Sequence, residues 1–194
     1  MLDLSILFPS VLNGLTTGAV YALIALGLTL IYGVLHIINF AHGASLMVAL
    51  YAVYWLKERA GIDPYPALPL VVPGMFALGY VLQRAVINRA SHGKDENILL
   101  VTLGISIVLE NLALIFFKSD TRTIETAYTL TTVPLNIGVA QAMIALPKLV
   151  AFGGALVASA LLMLVVNRTE LGRAIRAVAK EKHGARLMGI DVDH

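Results

Sequence analysis

The chain has 194 residues, of which 58% are hydrophobic and 13% charged, with a formal net charge of +2. Soluble domains carry about 25% charged residues, so there is too little polar surface here to cover a water-soluble globule. The absence of cysteine excludes a disulfide framework, an iron–sulfur centre and thiol chemistry.

The amino-terminal residues include Asp3 and no Lys or Arg, so the basic region of a cleavable signal peptide is missing and the first apolar run is expected to stay as a membrane span. From Leu4 to Leu56 there is no Asp, Glu, Lys or Arg. A span needs about 20 residues, so this stretch holds two, expected near Asn13–Val34 and Ile38–Leu56, with a break around Gly33–Asn39. The run Lys57–Pro64 is a charged turn. A third span is expected at Pro66–Val86, kinked by Pro69 and Pro73. A polar loop at 84–96 leads to a fourth span at Asn97–Phe117, which carries one acid, Glu110. Lys118–Gln141 is rich in threonine and alternates polar with apolar residues, as an external loop with some strand or short-helix content would. A fifth span is expected at Pro147–Val166. The chain then turns basic, with Arg168, Arg173, Arg176, Lys180, Lys182 and Arg186.

The fold class expected is therefore all-α, a polytopic helical membrane protein of about five spans, with 1–167 as the membrane domain and 168–194 as a separate polar tail. The basic tail belongs in the cytoplasm by the positive-inside rule. That puts the loop at 84–96 inside and those at 57–63 and 118–146 outside.

Three groups of residues stand out. Gly14 and Gly18 form a small-residue pair four apart, extended by Gly27, which suits close helix packing in lipid. Asn39, His42 and Gly43 interrupt an apolar run. Polar groups there either line a path or gate, or tie a tight turn together. His36 and His42 are six apart and share no helical face, so no metal site is expected. Glu110 either faces a cavity or snorkels to the outer interface. No paired His, Asp or Glu and no Ser/His arrangement lies at membrane depth, so neither enzymatic activity nor a cofactor is expected. The segment from Gly172 to His183 suits a short basic helix, which by composition alone would lie on anionic lipid.

The run Asn13-Gly14 … Gly18 … Tyr21-Ala22-Leu23-Ile24-Ala25-Leu26-Gly27 … Tyr32-Gly33 … Ile38-Asn39-Phe40-Ala41-His42-Gly43 resembles the opening of branched-chain amino-acid ABC-transporter permeases of the LivH type. Gly172-Arg173-Ala174 … Arg176-Ala177 … Ala185 … Leu187 … Gly189-Ile190-Asp191 resembles their coupling loop. The resemblance implies a permease subunit of the bacterial inner membrane. Its implied partners are a related LivM-type permease, two ATP-binding cassette subunits and a periplasmic amino-acid-binding protein, with no nucleic acid. It implies that Gly172, Arg173, Ala174, Arg176, Ala177, Glu181, Ala185 and Gly189 belong to a helix docking on the ATPase, and that Arg176→Glu or Glu181→Lys would weaken that docking. Family members continue beyond this loop, so the chain is expected to be truncated just past it, and a non-transporting fragment is the rival reading. Relatives that carry urea or short amides define an alternative substrate class. Glu110 departs from the amide side chain the family commonly carries there.

Overall fold

The computed structural model describes residues 4–35, 38–91, 95–137, 140–181 and 184. In chain order these form α1 (Leu4–Leu35), α2 (Ala41–Ala60), α3 (Pro64–Leu82), a π-helical turn (Gln83–Ile87), α4 (Asn88–Ser91), α5 (Asp95–Phe117), β1 (Thr132–Ile137), β2 (Ala140–Ala145), α6 (Leu146–Arg168) and α7 (Glu170–Lys180). They divide into two compact units, one of residues 1–36 with 127–194, the other of 37–126.

Burial is the inverse of a soluble protein's. The buried positions among the described residues are mostly small or hydroxylated: Thr16, Ala41, Ala44, Ala67, Thr102, Ser106, Ala113 and Ala155 among them. Large apolar side chains such as Phe76, Ile115, Phe116 and Met163 are more than half exposed. In lipid there is nothing to gain by hiding a leucine, so small residues that let helices approach occupy the interior. Four helical stretches are long and apolar enough to cross a membrane: Ile6–Gly33, Pro64–Ala90, Asn97–Phe117 and Leu146–Arg168.

In the first unit, α1 and α6 lie side by side and parallel. At one end Lys148 Nζ, in the first turn of α6, donates to Asn13 Oδ1 of α1 at 2.7 Å. At the other, Leu26, Leu30 and Gly33 of α1 share a groove with Met163, Val166 and Asn167 of α6. β1 and β2 pair antiparallel, from Thr132 opposite Ala145 to Ile137 opposite Ala140. Ile144 is buried and its neighbour Met143 exposed, the alternation of a half-covered strand. The hairpin feeds directly into α6, whose Leu146 N–H donates to Thr131 O at 2.8 Å.

In the second unit, α2 runs parallel to α5. Phe40 N–H, just before α2, reaches Thr102 Oγ1 at 3.3 Å, and farther along the Tyr51 ring stacks on Phe117 with centroids 4.0 Å apart. Ala41, Ile87 and Ile105 form a small cluster, flanked by Leu82, Ile98, Val101 and Leu109. α2 ends in a left-handed cap at Gly61, φ 66°, whose N–H bonds Lys57 O while that of Ile62 bonds Leu56 O. The Gly61–Lys57 bond is that of a left-handed helix cap, a positive φ that glycine adopts without strain, and the Lys57–Asp63 ion pair closes the turn.

The parallel packing decides the number of crossings. Two parallel spans must be separated by an odd number of crossings. Between α1 and α6 the two apolar helices α3 and α5 make only two, so α2 is the third. Its end carries Lys57, Glu58 and Arg59, which dilutes its apolar character. Four helices are long and apolar enough to cross, and the parity calls for α2 as a fifth, the number expected from the sequence. Because the chain has no cysteine, single-cysteine variants at Glu58, Arg89, Asp120 and Arg173 test this directly. With an impermeant maleimide, 58 and 120 should react from one side and 89 and 173 from the other, and a further variant at Phe40, between α1 and α2, should react with 89 and 173; 58 reacting from the same side as 40 would remove α2 from the membrane.

Some boundaries differ from expectation. α1 begins at Leu4, not Asn13, and carries Pro9 inside it. Pro69 and Pro73 sit within α3 without ending it. α3 instead passes into the π turn, where the ladder register changes and Gln83 Nε2 donates to Asn88 Oδ1 at 2.9 Å. The polar helix is Glu170–Lys180 rather than Gly172–His183.

Candidate functional site

The corner between α6 and α7 is built by four residues. Thr169 is extended, φ −95° and ψ 160°, and ends α6 while opening α7. Its hydroxyl donates to Val165 O at 2.6 Å and accepts from Gly172 N–H at 3.1 Å. Such a cap stabilises a helix by about 1 kcal/mol. Gly172 is buried, and a Cβ added there would stand within 3.0 Å of the carbonyl oxygens of Val165 and Val166. Arg176 folds back so that its guanidinium donates to Val166 O, and to Asn167 Oδ1 at 3.3 Å. Arg173 pairs with Glu170 one turn earlier. The first turn of α7 holds an acid and its last turn a base, both favourable to the helix dipole.

Beside this corner lies an apolar groove of about 520 Å³, lined by Leu26 and Leu30 of α1, Met163 and Val166 of α6, and Ile175 and Ala179 of α7. Leu171 points elsewhere and is 72% exposed. Ala174 and Ala177 are half-buried, and Glu181 is exposed immediately after the helix. Ala185 and Gly189 lie outside the described residues.

The second unit carries a polar line on α5. Thr102, Ser106 and Glu110 recur every four residues and so share one helix face. Thr102 is 1% exposed and donates to Leu99 O at 3.1 Å. Ser106 Oγ donates to Glu110 Oε1 at 2.9 Å. Glu110 itself is exposed, two turns before the end of the span. Asn39 Oδ1 accepts from Ala41 N–H at 3.0 Å and Asn39 O from His42 N–H at 3.2 Å, so Asn39 caps the turn that starts α2. His42 is half-buried one residue into that helix, and Gly43 is exposed. Thr102 joins this turn to the α5 line through Phe40 N–H. Asn39, Glu110 and the two α5 hydroxyls thus belong to one unit.

Gly14 and Gly18 have no neighbour within 4 Å of an added Cβ among the described residues, so their face of α1 is open. Gly27 is half-buried. The sequence reading did not single out Thr169, Ser106, Thr102 or Lys148. Thr169 carries a helix-start signal, a capping residue followed by an acid. Ser106 and Thr102 are legible as a four-residue repeat ending at Glu110. For Lys148 there is no local signal, since its partner is far along the chain.

A family model described as the permease component of branched-chain amino acid transport systems matches residues 10–194. The high-affinity branched-chain amino acid transport system permease protein BraD of Pseudomonas aeruginosa is 30% identical over 187 residues, covering 92% of this chain and 61% of that protein. The corresponding permease LivH of Escherichia coli K12 is 29% identical over 191 residues, with 93% and 61% covered. A probable branched-chain amino acid transport permease of Methanocaldococcus jannaschii is 31% identical over 186 residues, with 88% and 54% covered. The chain thus spans less than two thirds of the length of these relatives. No solved structure matches.

Proposed function

Given that this chain belongs to the branched-chain amino-acid transport permease family, we propose that it is the membrane-spanning permease subunit of an ATP-driven importer for branched-chain or related hydrophobic amino acids in the bacterial inner membrane. The observation that carries the reading is α7, a short charged helix held at the end of a span with Leu171 72% exposed. A large apolar side chain offered to water on a charged helix suits a helix-in-groove contact, in which one face of a helix fills a partner's groove. The partner is an ATP-binding cassette subunit, two of which hydrolyse ATP beneath the permeases, and the basic tail lies on the cytoplasmic side. A related second permease of the LivM type completes the membrane part. A periplasmic amino-acid-binding protein delivers substrate to the segment from Lys118 through the β1–β2 hairpin.

Transport proceeds by alternating access. ATP closes the ATPase pair, α7 moves with it, and the spans reorient about a path. Asn39, His42, Gly43 and Glu110 are the path or gate residues, with Ser106 holding the Glu110 carboxylate. The open Gly14–Gly18 face receives a neighbouring helix.

In the whole complex, Leu171→Asp and Glu181→Lys should each lower the co-purifying ATPase subunits by about tenfold or more, as loss of an interface anchor does. Leucine uptake into vesicles should fall with them. Co-purification and uptake both unchanged would overturn the docking of α7. Uptake of urea in place of leucine by the same vesicles would reassign the substrate class.

A further inference from the structure

The end of a transmembrane helix leaves carbonyl oxygens without intrahelical partners. In α6 the oxygen of Val165 takes both the N–H and the hydroxyl of Thr169. Val166 O would normally accept from the N–H of Glu170, but the chain turns away at extended Thr169. Its partner is instead the guanidinium of Arg176, ten residues on. The same group reaches Asn167 Oδ1. A planar fork with five donors serves two acceptors at once, which a lysine ammonium on its flexible stem does less well. A cation at this end of α6 is also favoured by the helix dipole. With Gly172 pressed against the carbonyls of Val165 and Val166, α7 is fastened to α6 at its first and second turns.

We propose that Arg176 is a positioning residue, a clamp that makes α6 and α7 one rigid lever, and that it acts inward on α6 rather than outward on the ATPase. This rests on the reading of α7 as the coupling helix. Arg176 then sets how much substrate moves per ATP, while Leu171 and Glu181 set how tightly the ATPase is held.

The test uses the assembled complex and the absence of native cysteine. Spin labels at Val157 of α6 and Lys180 of α7 report the corner. Arg176→Gln should broaden the distance distribution and leave co-purifying ATPase within about twofold. Uptake per ATP hydrolysed should fall by about tenfold, the scale of a lost charge-assisted hydrogen bond. Arg176→Lys should recover part of the loss, and Arg168→Gln, with the same change of charge, should leave the distance as in the parent chain. An unbroadened distribution in Arg176→Gln overturns the clamp. If the ATPase is lost as well, Arg176 is a docking contact. If the ATPase fails to co-purify even with the parent chain, the coupling reading falls, and the distance distribution alone decides the clamp.

Discussion

Gly172→Ala is expected to destabilise the α6–α7 corner by about 3 kcal/mol, although alanine in a helix normally gains about 1 kcal/mol over glycine. The sign inverts because the clash lies at the first side-chain carbon. That carbon would stand within 3.0 Å of two backbone oxygens, and backbone cannot give way as a flexible side chain can. The first turn of α7 must then lift, and the Thr169 cap and the Arg176 clamp open with it. In inside-out vesicles, trypsin should cut at Arg173 and Arg176 at least about tenfold faster, since cleavage follows the population of the opened corner. Uptake should fall to the background of vesicles lacking the chain. Gly172→Val should behave no better. Alanine with the parent's cleavage rate would mean that the close approach at Gly172 does not hold the corner.

The sequence makes the spans plain and their grouping opaque. Stretches poor in charge located the four helices long and apolar enough to cross, and α2 beside them, because a charged group at membrane depth is expensive wherever it sits. Lys57, Glu58 and Arg59 marked the end of α2 for the same reason. What pairs with what was not legible. The first span joins the last, through contacts such as Asn13 with Lys148, and nothing local to either residue announces it. Apolar periodicity gives no help either, since α1 is apolar on all sides, as a helix in lipid is.

The candidate site divides in the same way. The polar break at Asn39 and His42 was visible, and its alternatives were a path or a tied turn. The bond from Ala41 N–H to Asn39 Oδ1 fits the tied turn; the path role is a proposal for Asn39 and its neighbours alike. The basic composition of 168–186 was visible too, but Arg176 and Arg173 look alike in sequence. Only the turn at Thr169 separates them, sending one guanidinium back to α6 and leaving the other on the surface beside Glu170. Motif residues named together therefore do different physical work.

The interior of the second unit yields the other large effect. Ala67 of α3 is 0% exposed, with Val71 buried one turn on, and α3 packs along α2, where Ala41 and Ala44 are also buried. In a soluble core, Ala→Leu trades strain against apolar surface removed from water, at about 25 cal/mol per Å². Here the added methyl groups come out of lipid, which is as apolar as the protein interior, so that gain vanishes. The strain of overpacking, about 1–3 kcal/mol, stands alone, and we expect Ala67→Leu near the upper end, at about 3 kcal/mol. Leu68, next along the helix, is 50% exposed. Truncating it gives up few protein contacts and little transfer energy, so Leu68→Ala should cost less than about 0.5 kcal/mol, the reverse of the order in a water-soluble protein. Denaturant titration of both variants in lipid bicelles reads the two values. Equal costs, or a larger cost at Leu68, would mean that the α2–α3 face is not packed through its small residues, and that burial in this unit follows the rules of water rather than those of the bilayer.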